Sequence, residues 1–224
     1  MPQTLRIGVA PEQTTTALVY PAAQKSLAVT VLLGHGAGAD QKHRFMVRFA
    51  EGLASRGIDA ATFNFLYTEQ GRRTPDRGDK LETCYNTVIS TVLSHRQLSG
   101  NKLVIGGKSM GGRIASQVAA SGTAGISGLV FLGYPLHPPG KLDQLRSKHL
   151  PGITAPMLFV QGTRDSFGTP EELGPIVKEL PNASVFVIEN GDHSFGVPKK
   201  HSLSQEQVYE LALDEIHRWL GQFA

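Results

Sequence analysis

The chain has 224 residues, of which 40% are hydrophobic and 18% are charged. This balance excludes a disordered segment, and the length is enough to build one domain with a sizeable core. The formal net charge is only +3, which argues against a protein that binds nucleic acid or a membrane surface. We therefore expect one domain over residues 1–224, with no nucleic acid and no membrane among its partners.

The first residues favour a cytoplasmic protein. They show no apolar run behind a basic start, as a signal peptide would. No later segment approaches the roughly 18 apolar residues that a membrane span needs. The single cysteine, Cys84, excludes an internal disulfide and lies on the apolar side of a helical pattern, so we expect it to be buried.

Eight short apolar segments, bounded by glycine or polar residues, predict β-strands. In chain order they span residues 5–9, 17–20, 27–34, 59–65, 102–107, 128–133, 155–162 and 183–189. Apolar residues at helical spacing predict helices over 45–54, 81–93, 113–120 and 171–180. A last helix begins after Ser204, which can form a capping box with Gln207. Its inward side chains are predicted to be those of Val208, Leu211, Ala212, Ile216, Trp219 and Leu220.

Alternating strands and helices indicate an α/β fold with a parallel sheet. Its strands are continuously apolar, which is typical of a sheet that is covered by helices on both faces. Two longer irregular stretches, residues 66–79 and 134–152, each follow the end of a strand. Because ligands of such sheets bind at the carboxyl ends of the strands, we expect both stretches to form walls of a pocket.

The glycines around residues 34–39 and 103–115 suggest three kinds of site, and two of these lack a required part. A phosphate-binding loop needs a glycine five residues before the Gly of Gly-Lys-Ser, where this chain has Lys102. The glycines of residues 34–39 resemble a dinucleotide-binding turn, which expects an acidic residue at the end of the next strand. That strand ends in Asn-Phe at residues 64–65 and has Asp59 at its start. Both interpretations are therefore disfavoured.

Residues 107–111, Gly-Lys-Ser-Met-Gly, match the G-x-S-x-G pattern of a nucleophile elbow. In such an elbow the serine occupies a strained turn at the end of a strand, and the flanking glycines let strand and helix approach closely. The alternative is that Ser109 is only a small residue in a glycine-rich turn. Its position between a predicted strand and a predicted helix favours the elbow.

A serine hydroxyl needs a base, and the base needs an acid to orient it. In this kind of fold the acid and then the histidine follow the nucleophile along the chain. Asp165 comes directly after one late strand and His193 directly after the next. His201 lies further into a loop and is the lesser candidate. Asp192 is the alternative acid, but sequence neighbours of a histidine point away from it, so we expect Asp192 to shape the loop.

An oxyanion hole requires two backbone N–H groups that point to the developing negative charge. We assign one to Met110, which follows the nucleophile, and the other to Ala37 in the turn after an early strand. The small residues of 34–38 let the backbone approach a substrate. His35 precedes the serine in this turn, and a structural hydrogen bond is the expected role for it.

On these residues the chain resembles the α/β-hydrolase superfamily over nearly its whole length. The resemblance implies an α/β-hydrolase fold, a three-layer αβα sandwich with a mostly parallel eight-stranded sheet, and a triad of Ser109, Asp165 and His193. Further segments look like a small dienelactone-hydrolase-like group that includes a testis-expressed vertebrate protein and the hydrolase-like domain of a non-specific-lethal chromatin complex subunit. These segments are GHGAGADQ, NFLYTEQGRR, GGKSMGGR, GYPLHPPG, QGTRDSFG and GDHSF.

The resemblance has limits and implications for the pocket. Dienelactone hydrolases use cysteine as the nucleophile, so the serine at position 109 argues against carrying over lactone specificity. Many relatives insert a large lid where this chain has residues 134–152, so we expect little or no lid and an open site for small or exposed acyl substrates.

Candidate substrate-binding residues lie on both expected walls. Tyr67, Arg72 and Arg73 would clamp a carboxylate or phosphate; the alternative is a solvated loop. His137 would line the site, or belong to a rigid proline-rich loop. Lys108 either adds positive charge beside the nucleophile or faces solvent.

The sequence thus predicts a carboxylesterase- or thioesterase-like serine hydrolase that works through an acyl-enzyme. Its substrate would be a small acyl compound, no cofactor or metal would be required, and the protein would be a monomer or homodimer. The rival hypothesis is a catalytically silent fold that binds a partner or a small ligand.

Overall fold

The computed structural model describes residues 2–24 and 27–223. Its strands are β1 (Gln3–Ala10), β2 (Gln13–Tyr20), β3 (Val29–Gly34), β4 (Asp59–Phe63), β5 (Lys102–Lys108), β6 (Ile126–Leu132), β7 (Met157–Gly162) and β8 (Ala183–Ile188). They form one eight-stranded sheet in the order β1-β2-β4-β3-β5-β6-β7-β8. Among the strand pairings of the described residues, only those of β2 with β1 and β4 are antiparallel. The predicted mostly parallel sheet of eight strands is therefore confirmed.

Within the described residues, six α-helices accompany the sheet. They are α1 (Arg44–Ser55), α2 (Leu66–Glu69), α3 (Gly78–Ser94), α4 (Met110–Ala120), α5 (Pro170–Lys178) and α6 (Gln205–Leu220). Three differ from the sequence predictions, and one of these is α3, which begins three residues before its predicted start at residue 81. The short helix α2 lies within a stretch that was predicted to be irregular, and α4 begins three residues before its predicted start.

The helices cover both faces of the sheet. α1 and α6 pack on one face, and α3, α4 and α5 pack on the other. Alternate side chains of an interior strand enter opposite cores; for example, Leu32 packs with one cluster, while Val31 and Leu33 pack with the other. Burial on both faces explains why the strands read as continuous apolar runs. Cys84 of α3 is buried, as predicted, and burial raises the pKa of its thiol to about 12.

The predicted start of the last helix is confirmed, but one residue that was predicted to be buried in it is exposed. The Ser204 side chain accepts a hydrogen bond from the N–H of Gln207, and the reciprocal bond completes a capping box. Leu211 was predicted to face inward and is 46% exposed, whereas Leu213 is buried. The buried stripe runs through residues 208, 212, 216 and 220, and Leu211 lies roughly 120° around the helix from its middle.

Two further features bear on the site. Residues 133–156, all of which the structure describes, hold one short 3-10 turn (Leu150–Gly152) between β6 and β7, and no lid domain stands there. Among the helices in the described ranges, none combines the length and the apolar character needed to cross a membrane.

Candidate active site

Ser109 makes the turn between β5 and α4 by itself. β5 ends at Lys108 and α4 begins at Met110. Ser109 has a φ of 51°, in the left-handed region that a residue with a side chain seldom adopts. Its side chain does not cap α4, although serine is a favoured capping residue. The hydroxyl is therefore available for other contacts.

Glycines on either side of Ser109 let three elements meet closely. A Cβ atom at Gly107 or at Gly111 would lie 2.1 Å from the carbonyl oxygen of Gly34, at the end of β3. No side chain fits at that distance, so both positions require glycine. The close approach brings the turn after β3 beside the serine.

Ser109, His193 and Asp165 form a continuous chain of hydrogen bonds. Nε2 of His193 lies 2.8 Å from Oγ of Ser109. Nδ1 of His193 lies 2.8 Å and 2.9 Å from the two carboxylate oxygens of Asp165. A neutral imidazole that donates from Nδ1 to the carboxylate accepts the serine proton at Nε2. The three residues lie 28 to 84 positions apart along the chain.

Hydrogen bonds fix the carboxylate of Asp165, and one of the donors, Gln161, was not predicted from the sequence. The carboxylate is 1% exposed, and one oxygen accepts the N–H of Phe167 at 2.8 Å. Gln161 at the end of β7 donates to the other oxygen at 2.8 Å and accepts the N–H of Tyr134. A glutamine within the apolar strand MLFVQG was the sequence signal for this buried partner. It fixes the carboxylate by a contact independent of the histidine.

The alternative acid, Asp192, and the alternative histidine, His201, make hydrogen bonds within their own loops. One oxygen of Asp192 accepts the N–H groups of Ser194 and Gly196, each at 2.8 Å. Asp192 thus shapes the loop that carries His193, as expected. His201 bonds within its own loop, where its Nδ1 accepts the N–H of Leu203 at 3.1 Å.

Ala37 and Met110, the predicted oxyanion donors, line the same cavity as Ser109. Met110 is the first residue of α4, and an N–H at that position has no partner inside its helix. The buried ring of His35 braces the turn that holds Ala37, because it donates from Nδ1 to the carbonyl of Gly36 and accepts the N–H of Phe65. Burial lowers the pKa of His35 and so favours the neutral ring that these bonds need. The expected structural role of His35 is confirmed.

The cavity at Ser109 has a volume of about 580 Å³. Both irregular stretches that were expected to form walls contribute to it, through Pro75 and Asp76 on one side and Pro135 and Arg146 on the other. The ring of Phe167 lies against that of His193, with centroids 4.2 Å apart. The cavity therefore gives a substrate access to the hydroxyl of Ser109.

Three of the predicted substrate-binding residues line a different cavity. Tyr67, Arg72 and Arg73 border a neighbouring space of about 390 Å³, which shares Gly38 and Ala39 with the Ser109 cavity. Helix α2 turns the side chain of Tyr67 into the core, where it is 1% exposed. Arg72 pairs with Asp76 at 2.6 Å. The structure does not bring these side chains into the Ser109 cavity.

His137 also lies away from Ser109. It is 2% exposed, its Nδ1 bonds to the carbonyl of Pro138 at 2.9 Å, and its Nε2 lies 3.4 Å from a carboxylate oxygen of Glu172. The imidazole therefore faces its own proline-rich loop and α5 rather than the Ser109 cavity. The prediction that His137 lines the pocket is therefore wrong.

Three cations line the Ser109 cavity, namely Lys108, Arg113 and Arg146. Lys108 is 8% exposed, and within the described ranges its Nζ has no hydrogen-bond partner. Burial lowers the pKa of Lys108 to about 8, although the charges of Asp165 and Asp192 act in the opposite direction. Sequence reasoning missed both arginines; the position of Arg113, one helical turn after Ser109, was the available signal.

The site offers no obvious metal centre. Within residues 2–24 and 27–223, no group of three or more His, Cys, Asp or Glu side chains is arranged to hold a metal ion.

Comparison with known proteins places the chain in a family. Residues 27–221 match the model of a family described as the alpha/beta hydrolase domain. The chain belongs to this family. The match covers the Ser109 elbow, Asp165 and His193, so the family assignment and the geometry concern the same part of the chain.

Solved structures of the α/β-hydrolase fold resemble the protein closely in shape. An α/β serine hydrolase homologue from Coxiella burnetii is 17% identical, with a TM-score of 0.75 over 97% of each chain. A lidless α/β serine hydrolase from Xanthomonas campestris is 18% identical, with a TM-score of 0.74 over 97% of this chain and 94% of that one. A dienelactone hydrolase from Anabaena variabilis is 18% identical, with a TM-score of 0.75 over 100% of this chain and 98% of that one. The α/β-hydrolase fold is confirmed, and membership of the narrower group stays a prediction.

Proposed function

We propose that the protein is a serine hydrolase that cleaves a small ester or thioester through an acyl-enzyme intermediate. The observation that carries this proposal is the hydrogen-bonded chain from Oγ of Ser109 through His193 to the buried carboxylate of Asp165. A serine so placed has a base within reach of its proton, which a merely structural serine does not need.

The reaction follows from the positions of these groups. Oγ of Ser109 attacks the acyl carbon while Nε2 of His193 takes its proton, and Asp165 stabilises the resulting imidazolium. The N–H groups of Ala37 and Met110 receive the oxyanion. The imidazolium then protonates the leaving alcohol or thiol, which departs and leaves the acyl group on Ser109. A water molecule, deprotonated by His193, attacks the acyl-enzyme, and the acid is released with Ser109 restored.

The direct kinetic test is the turnover of short p-nitrophenyl esters and of an acyl thioester. Ser109→Ala should lower kcat by at least about a thousandfold, because the covalent step is lost. Ser121→Ala, the same change at the opposite end of α4, is the matched control and should leave kcat unchanged. Equal turnover by Ser109→Ala and the unaltered protein would refute the proposal.

The two acidic candidates are separated in the same assay. Asp165→Asn should lower kcat by about 10⁴-fold, because an amide neither holds the required imidazole tautomer nor stabilises the imidazolium. Asp192→Asn keeps an oxygen for the two N–H groups that it accepts, so it should retain most of the activity. The reverse pattern would show that the acid has been misassigned.

Several finer expectations stay predictions. They are the carboxylesterase- or thioesterase-like specificity, the cytoplasmic location, the organisation of residues 1–224 as one domain, and a monomeric or homodimeric state.

A further inference from the structure

We propose that the substrate carries a second, uncleaved acidic group, a carboxylate or a phosphate, which Arg113 and Arg146 bind. This inference rests on the proposed function and specifies the substrate class of the same site. Both arginines line the Ser109 cavity, and their planar guanidinium groups match the two oxygens of such an anion.

The charges around the cavity are unbalanced. Among the described residues that line it, Asp76 is the only acidic one, and Arg72 of the neighbouring cavity already pairs with it at 2.6 Å. Within the described ranges, neither arginine has a carboxylate within 4 Å. A half-buried cation without a counter-ion destabilises the folded protein. An anion that binds between these arginines would therefore be stabilised electrostatically.

The backbone of Arg113 is fixed relative to the nucleophile. Its N–H bonds to the carbonyl of Ser109 at 3.0 Å, within the first turn of α4. Among the described residues, its guanidinium donates a side-chain hydrogen bond only to a neutral group, Oε1 of Gln117 at 3.3 Å. An anion that binds Arg113 therefore lies within one arginine side-chain length of the turn that carries the reacting hydroxyl.

Arg146 is brought to the cavity by an anchored loop. Its N–H donates to the carbonyl of Leu136 at 2.7 Å, and its own carbonyl accepts the hydroxyl of the buried Tyr134 at 2.8 Å. Burial, together with the charge of Arg113, lowers the pKa of Arg146. The two like charges thus act on one another, and an anion between them would relieve their repulsion.

The first test compares matched esters that differ in one charge. With the acid on the acyl side, p-nitrophenyl hydrogen adipate is compared with p-nitrophenyl methyl adipate. With the acid on the leaving group, 4-acetoxybenzoate and 4-acetoxyphenyl phosphate are compared with methyl 4-acetoxybenzoate. The ratio of kcat/KM for charged over neutral ester is taken for each protein, so that intrinsic differences in reactivity cancel between variants.

We expect Arg113→Gln and Arg146→Gln each to lower this ratio at least tenfold for one of the acidic esters, with the neutral esters little affected. Arg113→Lys, which keeps the charge, should recover part of the preference. Arg6→Gln, on the distant strand β1, is the matched control. An unchanged ratio in both arginine variants, or a loss found instead in Arg73→Gln, would overturn the inference.

The second test needs no turnover. Ser109→Ala is titrated calorimetrically with monomethyl adipate, dimethyl adipate and inorganic phosphate. The inference expects monomethyl adipate or phosphate to bind at least tenfold more tightly than the diester, and to lose that advantage when Arg113→Gln or Arg146→Gln is added. Equal binding of all three ligands overturns the anion site even if the esters are hydrolysed. Tight anion binding together with turnover that survives Ser109→Ala would instead overturn the hydrolase mechanism alone.

Discussion

At the scale of single residues, the neighbours Lys108 and Ser109 in the elbow each adopt a state that destabilises the folded protein. Ser109 has a left-handed backbone, and such strain costs on the order of 1–3 kcal/mol. Lys108 buries an ammonium group without a hydrogen-bond partner in the described part of the chain. Both costs fall at the point where the proposed reaction takes place, which is where natural proteins tolerate them.

Lys108→Met should therefore stabilise the fold, and by an amount that depends on pH. Burial lowers the pKa of Lys108 from 10.5 to about 8. At pH 7 the charged form penalises the folded state by on the order of 3 kcal/mol. Between about pH 8 and 10.5 the unfolded chain holds this proton and the folded one has lost it, so the stability of the unaltered protein rises with pH in that window.

The measurement is the free energy of unfolding in urea at pH 7 and pH 10. The advantage of Lys108→Met over the unaltered protein should be large at pH 7 and smaller at pH 10. Lys102→Met, at the exposed start of β5, is the matched control and should show no such change with pH. An advantage that is absent at pH 7, or that grows with pH, would contradict the burial of a charged Lys108.

The sequence predicted some site residues and missed others for a physical reason. Ser109, Asp165 and His193 follow strand ends in a fixed order, and the chain itself records that order. Gln161 and Arg146 act through the direction of a side chain toward a neighbouring element, which spacing along the chain does not encode. The same limit explains why Tyr67 was expected in the Ser109 cavity.

At the scale of elements, close packing between β3, β5 and α4 positions the site. The predicted start of α4 was wrong because Gly111 and Gly112 are poor helix formers, and their place in the helix is set by tertiary contacts. A Cβ atom at Gly112 would lie 2.8 Å from the carbonyl oxygen of Gly107, and one at Gly111 would lie closer still to Gly34. Packing thus overrides propensity where the elbow requires it.

Gly111→Ala should destabilise the protein by more than about 3 kcal/mol, because the added methyl group meets rigid backbone of β3. The matched control is Gly221→Ala at the end of α6. Gly221 has helical φ and ψ of −56° and −22° and open space around a Cβ atom. That change should be neutral or stabilising by up to about 1 kcal/mol. Urea unfolding of both variants measures the difference, and similar stabilities would contradict the close approach of α4 to β3.

At the scale of the whole molecule, the parallel sheet assembles the site from distant segments. Ala37 follows β3, Ser109 follows β5, Asp165 follows β7 and His193 follows β8. Because parallel strands end at the same edge, residues far apart along the chain meet there. This convergence could be predicted from the order of the strands along the chain. The exact extent of each strand and the presence of α2 could not, because they depend on tertiary packing.

The central claim is that this assembled site makes Ser109 a nucleophile. The most direct measurement is treatment of the folded protein with a fluorophosphonate, followed by mass spectrometry of its peptides. Our account predicts one adduct, on Ser109, which is absent in Ser109→Ala and forms far more slowly in His193→Ala. No adduct on the folded protein, or an adduct on another serine of the same cavity such as Ser194, would contradict it.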